Sequence, residues 1–381
     1  MDGRVMELST CLRVAASAKA GRNLKVDVDL KKKIQSQLLR WFEKNKRDLP
    51  WRKTRDPYAI WISEMMLQQT QVATVIPYYE RFLKSFPTVR HLASADLSDV
   101  LRIWEGLGYY SRARNLHKAA RTIVTRFDGI IPENSEDLLT LPGIGRYTAG
   151  AILSIAFNRE APILDGNVKR VFARVFAIPG DPKEVKTEQK LWHISEALIP
   201  RGHASSFNQA LMELGATICT PRAPLCLLCP LQDLCKARAL GSPERYPTKG
   251  PRKKIPHVEA VCAVIVRNGK CLIRRRPAKG LLGGLWEFPN WEIEKGKNLN
   301  RSLKTHLKKE GASTARVGSP VGTLKHTYTH FKLTLHVYYC ELPDGKVRGK
   351  WVSLRDLRGY PMSRLHRRIA EQIRDNITFG K

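Results

Sequence analysis

Leu141-Pro142-Gly143-Ile144-Gly145 stands between two stretches of helical character. Two glycines around one apolar residue make a tight turn whose amides can point outward together. Amides at a helix N-terminus hold phosphate without reading bases. Many helix–helix turns use glycine, so the pentapeptide alone is a weak signal. Asp165, twenty residues after Gly145, and then a loop of four cysteines make it specific.

Around this hairpin the chain reads helical from 31 to about 235. Ile34, Leu38, Leu39 and Phe42 recur at helical spacing, with Lys and Arg on the other face. Asp56-Pro57 is a helix start, a capping carboxylate followed by proline at the first helical position. Further helices are expected over Leu97 to Trp104, Leu116 to Phe127, Ala149 to Phe157 and Ser206 to Ala216. Residues 236–257 change character: Ser242-Pro243, Tyr246-Pro247, Gly250-Pro251 and Ile255-Pro256 punctuate a basic segment, which reads as an exposed linker. Strand-like runs come next at Ala260 to Val266, Lys270 to Ile273 and Lys332 to Tyr339, with Asn268-Gly269 as a hairpin turn. Helices near 298–310 and 362–375 complete an α+β second domain. The expected division is an N-terminal extension over 1–30, a helical domain over 31–235, the linker 236–257 and the α+β domain 258–381.

The chain has 381 residues, long enough for two or three domains, and 43% of them are hydrophobic, too many for a disordered chain. Sixty-six Lys and Arg against 35 Asp and Glu give a formal net charge of +31. Residues 258–381 alone carry 25 basic and 10 acidic residues. Such an excess favours a polyanionic partner, nucleic acid first and an anionic membrane second. No apolar run reaches the roughly eighteen residues of a membrane-spanning helix. Residues 1–30 lack the apolar core of a secretory signal. A flexible tail, a start placed too early and a weak organelle address all fit them.

Cys219, Cys226, Cys229 and Cys235 fall within seventeen residues, while Cys11, Cys262, Cys271 and Cys340 are scattered. A chain of this size without an export signal needs no disulfide staples, so one metal site in a reducing compartment fits better. Zinc usually takes two C-x2-C knuckles or adds histidine. The uneven C-x6-C-x2-C-x5-C spacing favours a [4Fe–4S] cube, with one thiolate per iron. Four buried reduced thiols are the plain structural alternative.

Glu64 lies in the apolar run Trp61-Ile62-Ser63-Glu64-Met65-Met66-Leu67. A carboxylate on an apolar helix is desolvated, which favours its protonated form and suits a general acid. The alternative is a buried glutamate paired with an arginine such as Arg52. Asp165, in Ile163-Leu164-Asp165-Gly166-Asn167-Val168, has its own structural reading as the cap of a helix beginning near Val168. A capping aspartate stays ionised. One neutral and one anionic carboxyl make a division of labour suited to cleaving a glycosidic bond.

At these residues the chain closely resembles the adenine DNA glycosylases of the MutY family, within the helix-hairpin-helix glycosylase superfamily. The most specific stretches are Leu49-Pro50-Trp51-Arg52, Trp61 to Thr70, Trp104 to Arg112, Leu141 to Thr148, Leu164 to Asn167 and the cysteine loop. Gly284 to Pro289 is the best local match to the family's Nudix-like C-terminal domain. The resemblance implies an all-α helix-hairpin-helix glycosylase domain with a [4Fe–4S] loop, then an α+β Nudix-like domain. It implies removal of adenine mispaired with 8-oxoguanine or guanine in double-stranded DNA, after the nucleotide is flipped out. It makes Glu64 the acid that protonates N7 and Asp165 the carboxylate that stabilises the oxocarbenium-like sugar, supported by Tyr147 and Asn167. It assigns Trp51, Arg52, Leu67 and Gln209 to the adenine pocket. Gln69 and Tyr109 enter the duplex opening, with Thr70, Leu107 and Gly108 among the DNA contacts. Gly143 and Gly145 form the phosphate anchor, with a bound monovalent cation.

Tyr147 separates relatives. Endonuclease III-like glycosylase/lyases carry a Schiff-base lysine there, so the tyrosine implies a monofunctional enzyme; Lys169 is placed elsewhere and is expected to contact phosphate or solvent. In the Nudix-like domain, Lys304-Thr305-His306-Leu307-Lys308-Lys309-Glu310-Gly311 replaces the motif's metal-binding glutamates with Thr305, Lys308 and Lys309. Lysines cannot hold Mg²⁺, so a lesion reader is expected rather than a pyrophosphohydrolase. The family's Phe-Ser-His loop for 8-oxoguanine has its counterpart in Tyr328-Thr329-His330; an ordinary polar turn is the alternative. A monomer is expected, acting without a membrane. Its setting would be the bacterial cytoplasm at the nucleoid, or an organelle or nucleus in a eukaryote. A lyase acting on oxidised pyrimidines, a non-catalytic DNA-binding relative and a zinc-binding architectural protein are the rival readings.

Overall fold

The computed structural model describes residues 26–248, 250 and 255–378. Most of the N-terminal extension and the Arg252-Lys253-Lys254 run of the linker lie outside them. In chain order the first helices are α1 (Val28–Asn45), α2 (Pro57–Leu67), α3 (Val72–Ser85), α4 (Val89–Ser94), α5 (Leu97–Ile103) and α6 (Ser111–Arg126). Then come α7 (Ser135–Thr140), α8 (Arg146–Phe157), α9 (Gly166–Val175), α10 (Val185–Leu198) and α11 (Ala204–Thr217). The cysteine loop leads to the short α12 (Lys236–Ala239). The remainder runs β1 (His257–Arg267), β2 (Lys270–Arg275), β3 (Trp286–Glu287), β4 (Asn290–Ile293), α13 (Leu299–Lys309), β5 (Arg316–Thr327), β6 (Lys332–Glu341), β7 (Lys350–Ser353) and α14 (Arg364–Thr378).

The described residues form two compact units, one within Met1–Gln68 and Thr125–Pro251, the other within Gln69–Val124 and Arg252–Lys381. In the first, Ile34, Leu38 and Phe42 of α1 are buried at the expected spacing, and Leu39 is half-buried beside them. The same core takes Val171, Phe172 and Val175 of α9 with Phe207, Leu211 and Leu214 of α11. α2 begins as its sequence dictates: the Asp56 carboxylate accepts from the Tyr58 amide at 3.0 Å and Pro57 follows the cap. Such a cap is worth about 1 kcal/mol. Every residue of α2 from Tyr58 to Met66 is buried. A helix that is apolar on all sides passes through a core instead of lying on it, so any polar side chain it carries is withdrawn from water.

In the second unit α3 to α6 accompany a seven-stranded mixed sheet of order β3-β2-β1-β6-β5, with β4 on β1 and β7 on β2. Asn268 and Gly269 both have positive φ, 48° and 69°, as the tight turn between β1 and β2 requires. β1 pairs in parallel with β6 and is covered on both faces, which explains its unbroken apolar run. Val261, Ala263 and Ile265 pack with Leu303 and Leu307 of α13. Ala260, Cys262 and Val264 face Leu365, Ile369 and Ile373 of α14. α6 starts at Ser111, five residues before the expected Leu116, and its added turn carries Arg112, buried although polar.

Candidate active site

Glu64 projects from buried α2 and is 4% exposed. The Tyr147 hydroxyl, from the first turn of α8, donates to its Oε2 at 2.6 Å. Burial lifts the Glu64 carboxyl from 4.5 to about 7; the Tyr147 hydrogen bond opposes this and the charge of Asp165 adds to it. Arg52, the alternative partner suggested by the sequence, is engaged elsewhere. Its Nη2 donates to Glu213 Oε2 at 2.9 Å and its Nη1 to the Arg47 carbonyl at 3.0 Å.

Asp165 caps α9, accepting from the Val168 amide at 2.7 Å, and its second oxygen accepts from Asn167 Nδ2 at 3.0 Å. Burial outweighs these hydrogen bonds and the Arg170 charge, so its pKa is raised. Asn167 is itself gripped: Arg170 Nη2 donates to its Oδ1 at 2.8 Å. Gly215 of α11 lies so close that a Cβ there would come within 2.6 Å of the Asn167 Cβ. Lys169 does not face solvent freely; its Nζ pairs with Glu188 at 2.5 Å.

Sequence reasoning missed Glu213 and Arg47. Glu213 on α11 is 1% exposed and receives Arg47 Nε at 2.7 Å as well as Arg52. Burial pushes its carboxyl up, yet the two guanidinium groups outweigh that and hold it at about 2. The pair of arginines is thereby locked beside buried Trp51. Leu67 and Gln209 are half-buried, and Gln209 Nε2 donates to Ser205 Oγ at 3.3 Å.

The 141–145 turn is formed as expected, with Gly143 at φ 82° and the Ile144 amide on the Leu141 carbonyl at 3.1 Å. Gly145 is the N-cap of α8, with no side chain on the helix's free amides and open space where a Cβ would stand. Anions bind at such ends.

The four cysteines line one cavity together with Arg174 and Arg238. α9 fastens the loop: Arg174 Nη1 donates to Cys219 Sγ at 3.3 Å and to the Thr220 carbonyl at 2.7 Å, and Arg170 Nε to the Cys219 carbonyl at 2.7 Å. One helix thus carries Asp165 at its start and the arginines that hold the cysteine loop further on. Burial raises the Cys229 thiol to about 12, and the other three sulfurs add to this. Four sulfurs gathered on one cavity suit a polynuclear cation that neutralises their thiolates together.

The remaining residues lie in the second unit. Gln69 and Tyr109 are exposed and adopt the left-handed region, φ 57° and 46°, rare for such side chains and often found at functional positions. Arg112 Nη2 donates to Thr70 Oγ1 at 3.1 Å and to the carbonyls of Leu107 and Gly108 at 3.2 Å. Tyr328-Thr329-His330 forms the tip between β5 and β6, closed by the Tyr328 amide on the Phe331 carbonyl at 2.8 Å. Tyr328 is packed inward between His326 and Phe331, whereas Thr329 and His330 are exposed. The Thr329 and Tyr109 hydroxyls are 2.9 Å apart, and both loops line one cavity of about 450 Å³. On α13, Lys304, Thr305 and Lys308 line an open depression with Arg301, and no carboxylate among the described residues joins them there.

Residues 62–197 match the family described as HhH-GPD superfamily base excision DNA repair protein, residues 219–235 the iron-sulfur binding domain of endonuclease III, and residues 260–372 the NUDIX domain. The solved structure of a thermostable thymine-DNA glycosylase is 32% identical, with a TM-score of 0.52 over 56% of this chain and 98% of that one. These matches put the chain in the helix-hairpin-helix class of base-excision proteins, with an iron–sulfur segment and a Nudix-like C-terminal part. The adenine DNA glycosylase of Buchnera aphidicola subsp. Acyrthosiphon pisum is 36% identical over 354 residues, 91% of this chain and 99% of that protein. The human adenine DNA glycosylase is 40% identical over 361 residues, 80% of this chain and 66% of that protein. The chain belongs to the adenine DNA glycosylase family. Among the described residues no helix is long and apolar enough to cross a membrane.

Proposed function

We propose that the protein hydrolyses the N-glycosidic bond of adenine in duplex DNA, acting on adenine opposite 8-oxoguanine or guanine. The observation that carries this reading is Glu64: a buried carboxyl lifted to about 7, hydrogen-bonded by Tyr147 and electrostatically coupled to Asp165. Near neutral pH a large fraction of Glu64 holds a proton, and a general acid works best with its pKa near the working pH. Adenine leaves poorly as an anion, so a proton delivered to N7 as the C–N bond stretches lowers the barrier. Asp165, with Asn167 fixing one of its oxygens, offers negative charge to the sugar cation. Tyr147 orients Glu64 and has no amine with which to form a Schiff base, so the abasic product is left uncut.

In the same reading Trp51, Arg52, Leu67 and Gln209 receive the flipped base, with Glu213 and Arg47 holding Arg52. Gln69, Thr70, Leu107, Gly108 and Tyr109 open the duplex, and Gly143 and Gly145 anchor phosphate with a monovalent cation at the hairpin. Thr329 and His330 read the opposite base, while Tyr328 braces their turn. Residues 31–235 are the catalytic domain and 258–381 the lesion reader, joined by 236–257. Cys219, Cys226, Cys229 and Cys235 hold a [4Fe–4S] cluster, which cross-links the loop that Arg170 and Arg174 fasten to α9. The spread of four sulfurs around one cavity supports a cube. The enzyme acts as a monomer on its duplex.

The test is single-turnover release of adenine from duplexes containing A:8-oxoguanine, A:G and A:C. Release from the first two and not the third supports the reading. Equal release from all three removes the mispair assignment, and release from none removes the activity.

A further inference from the structure

Glu105 directly precedes the Gly106–Tyr109 loop, and the C-terminal part of its own unit grips it. Arg367 of α14 donates Nε to one Glu105 oxygen at 2.6 Å and Nη2 to the other at 3.0 Å. The second oxygen also accepts the Met362 amide at 3.1 Å. Arg367 directs its remaining donors to the carbonyls of Leu357 at 2.9 Å and Tyr360 at 2.7 Å. Both side chains are less than one-fifth exposed, 16% for Glu105 and 18% for Arg367. A bidentate guanidinium–carboxylate pair fixes orientation as well as distance. The adjoining loop has little freedom of its own. Gly106 sits at φ 103°, and a Cβ there would come within 2.2 Å of the Tyr78 hydroxyl. The loop's position is therefore set by what holds Glu105 at its start together with Arg112 and Trp104, which donate to its carbonyls at 3.1–3.2 Å.

Among the contacts that join this stretch to the C-terminal part are the Tyr109–Thr329 hydroxyls, the Glu105–Arg367 pair and the buried Tyr110 hydroxyl, which donates to the Met362 carbonyl at 3.2 Å. The Tyr109–Thr329 hydroxyl contact is exposed and exchanges readily with water, so it holds the loop weakly. The Glu105–Arg367 pair is shielded, and losing either partner strands the other charge.

We propose that Glu105 and Arg367 are positioning residues that make adenine excision depend on the opposite base, by keeping the 107–109 loop in register with α14 and the 328–330 turn. The proposal rests on the reading that this turn senses that base. Neither residue touches substrate.

The experiment measures single-turnover excision from A:8-oxoguanine and A:G duplexes for the full-length protein, Glu105→Gln, Arg367→Met, the double variant and Arg367→Lys. Iron content and melting temperature report folding. Each of the first two variants should lower the ratio of the two rates by about fivefold or more, the low end of usual coupling between sites. The double variant should fall no further than the worse single, because the two residues act as one unit. Arg367→Lys, which keeps the charge and loses the fork, should be intermediate. Both rates falling together with the ratio unchanged would make the pair merely structural and overturn the proposal. Additive losses would overturn it too. A wild-type ratio near one would instead refute the lesion-reading assignment on which it rests.

Discussion

Replacing Tyr147 by phenylalanine removes the hydroxyl that donates to Glu64 at 2.6 Å while keeping the ring. The lift of Glu64 from 4.5 to about 7 corresponds to about 3 kcal/mol of preference for the protonated carboxyl. Tyr147 works against that preference by stabilising the anion. A hydrogen bond to a charged group is worth about 1.5–3 kcal/mol, so its loss should raise the Glu64 pKa by roughly 1–2. The rate of adenine release should decline as Glu64 loses its proton, around pH 7 in the wild type. In Tyr147→Phe the decline should move to roughly pH 8–9. Stability carries the same sign. A carboxyl with a raised folded pKa binds extra protons in the folded state, so the wild type should lose stability as pH rises from 4.5 through about 7. The variant should go on losing it beyond that. Single-turnover release and denaturant unfolding, each across the pH range, read the two effects. A decline that stays put or moves to lower pH would refute the assignment of Glu64 as the titrating acid.

Cys226→Ser should lower bound iron and solubility together, from about four irons per chain if one cube is held by four thiolates; native protein with stoichiometric zinc and no iron would sink the assignment. Borohydride added during turnover should trap no protein–DNA adduct, and the abasic strand should break only on heating or with alkali, because Tyr147 cannot form an imine. Glu213→Gln strands Arg47 and Arg52 and should cost about 3 kcal/mol in denaturant unfolding. The wild-type contribution should be present above pH 4.5 and vanish as pH falls through about 2, since the Glu213 pKa is depressed. An unchanged acid-unfolding profile in the variant would contradict this.

The parts of the fold legible in the sequence were those coded over short range. Asp56-Pro57, the 141–145 turn, Asn268-Gly269 and the cysteine spacing each specify local geometry within a few residues, and each is formed or gathered as its pattern requires. β5 was not legible because Gly318, Pro320 and Gly322 interrupt its alternation. The structure absorbs them as register shifts between Val317 and Gly322. The Arg47–Glu213 and Glu105–Arg367 pairs join residues 166 and 262 positions apart, and a charged residue in isolation reads as solvated surface. The same long-range packing draws Gln69–Val124 into one compact unit with the C-terminal part, which no linear boundary marks. Asp165 shows the limit of local reasoning about charge. Its cap was evident from the sequence, but the burial that raises its pKa belongs to the whole core.

The most direct measurement is single-turnover adenine release by Glu64→Gln beside its affinity for an A:8-oxoguanine duplex. Glutamine keeps the shape and hydrogen-bonding capacity of Glu64 but cannot deliver the proton. Binding should be retained while release falls by at least the ~10²–10⁴-fold typical of general acid catalysis. Near-wild-type release at unchanged affinity would leave Glu64 a buried structural carboxyl and contradict the account.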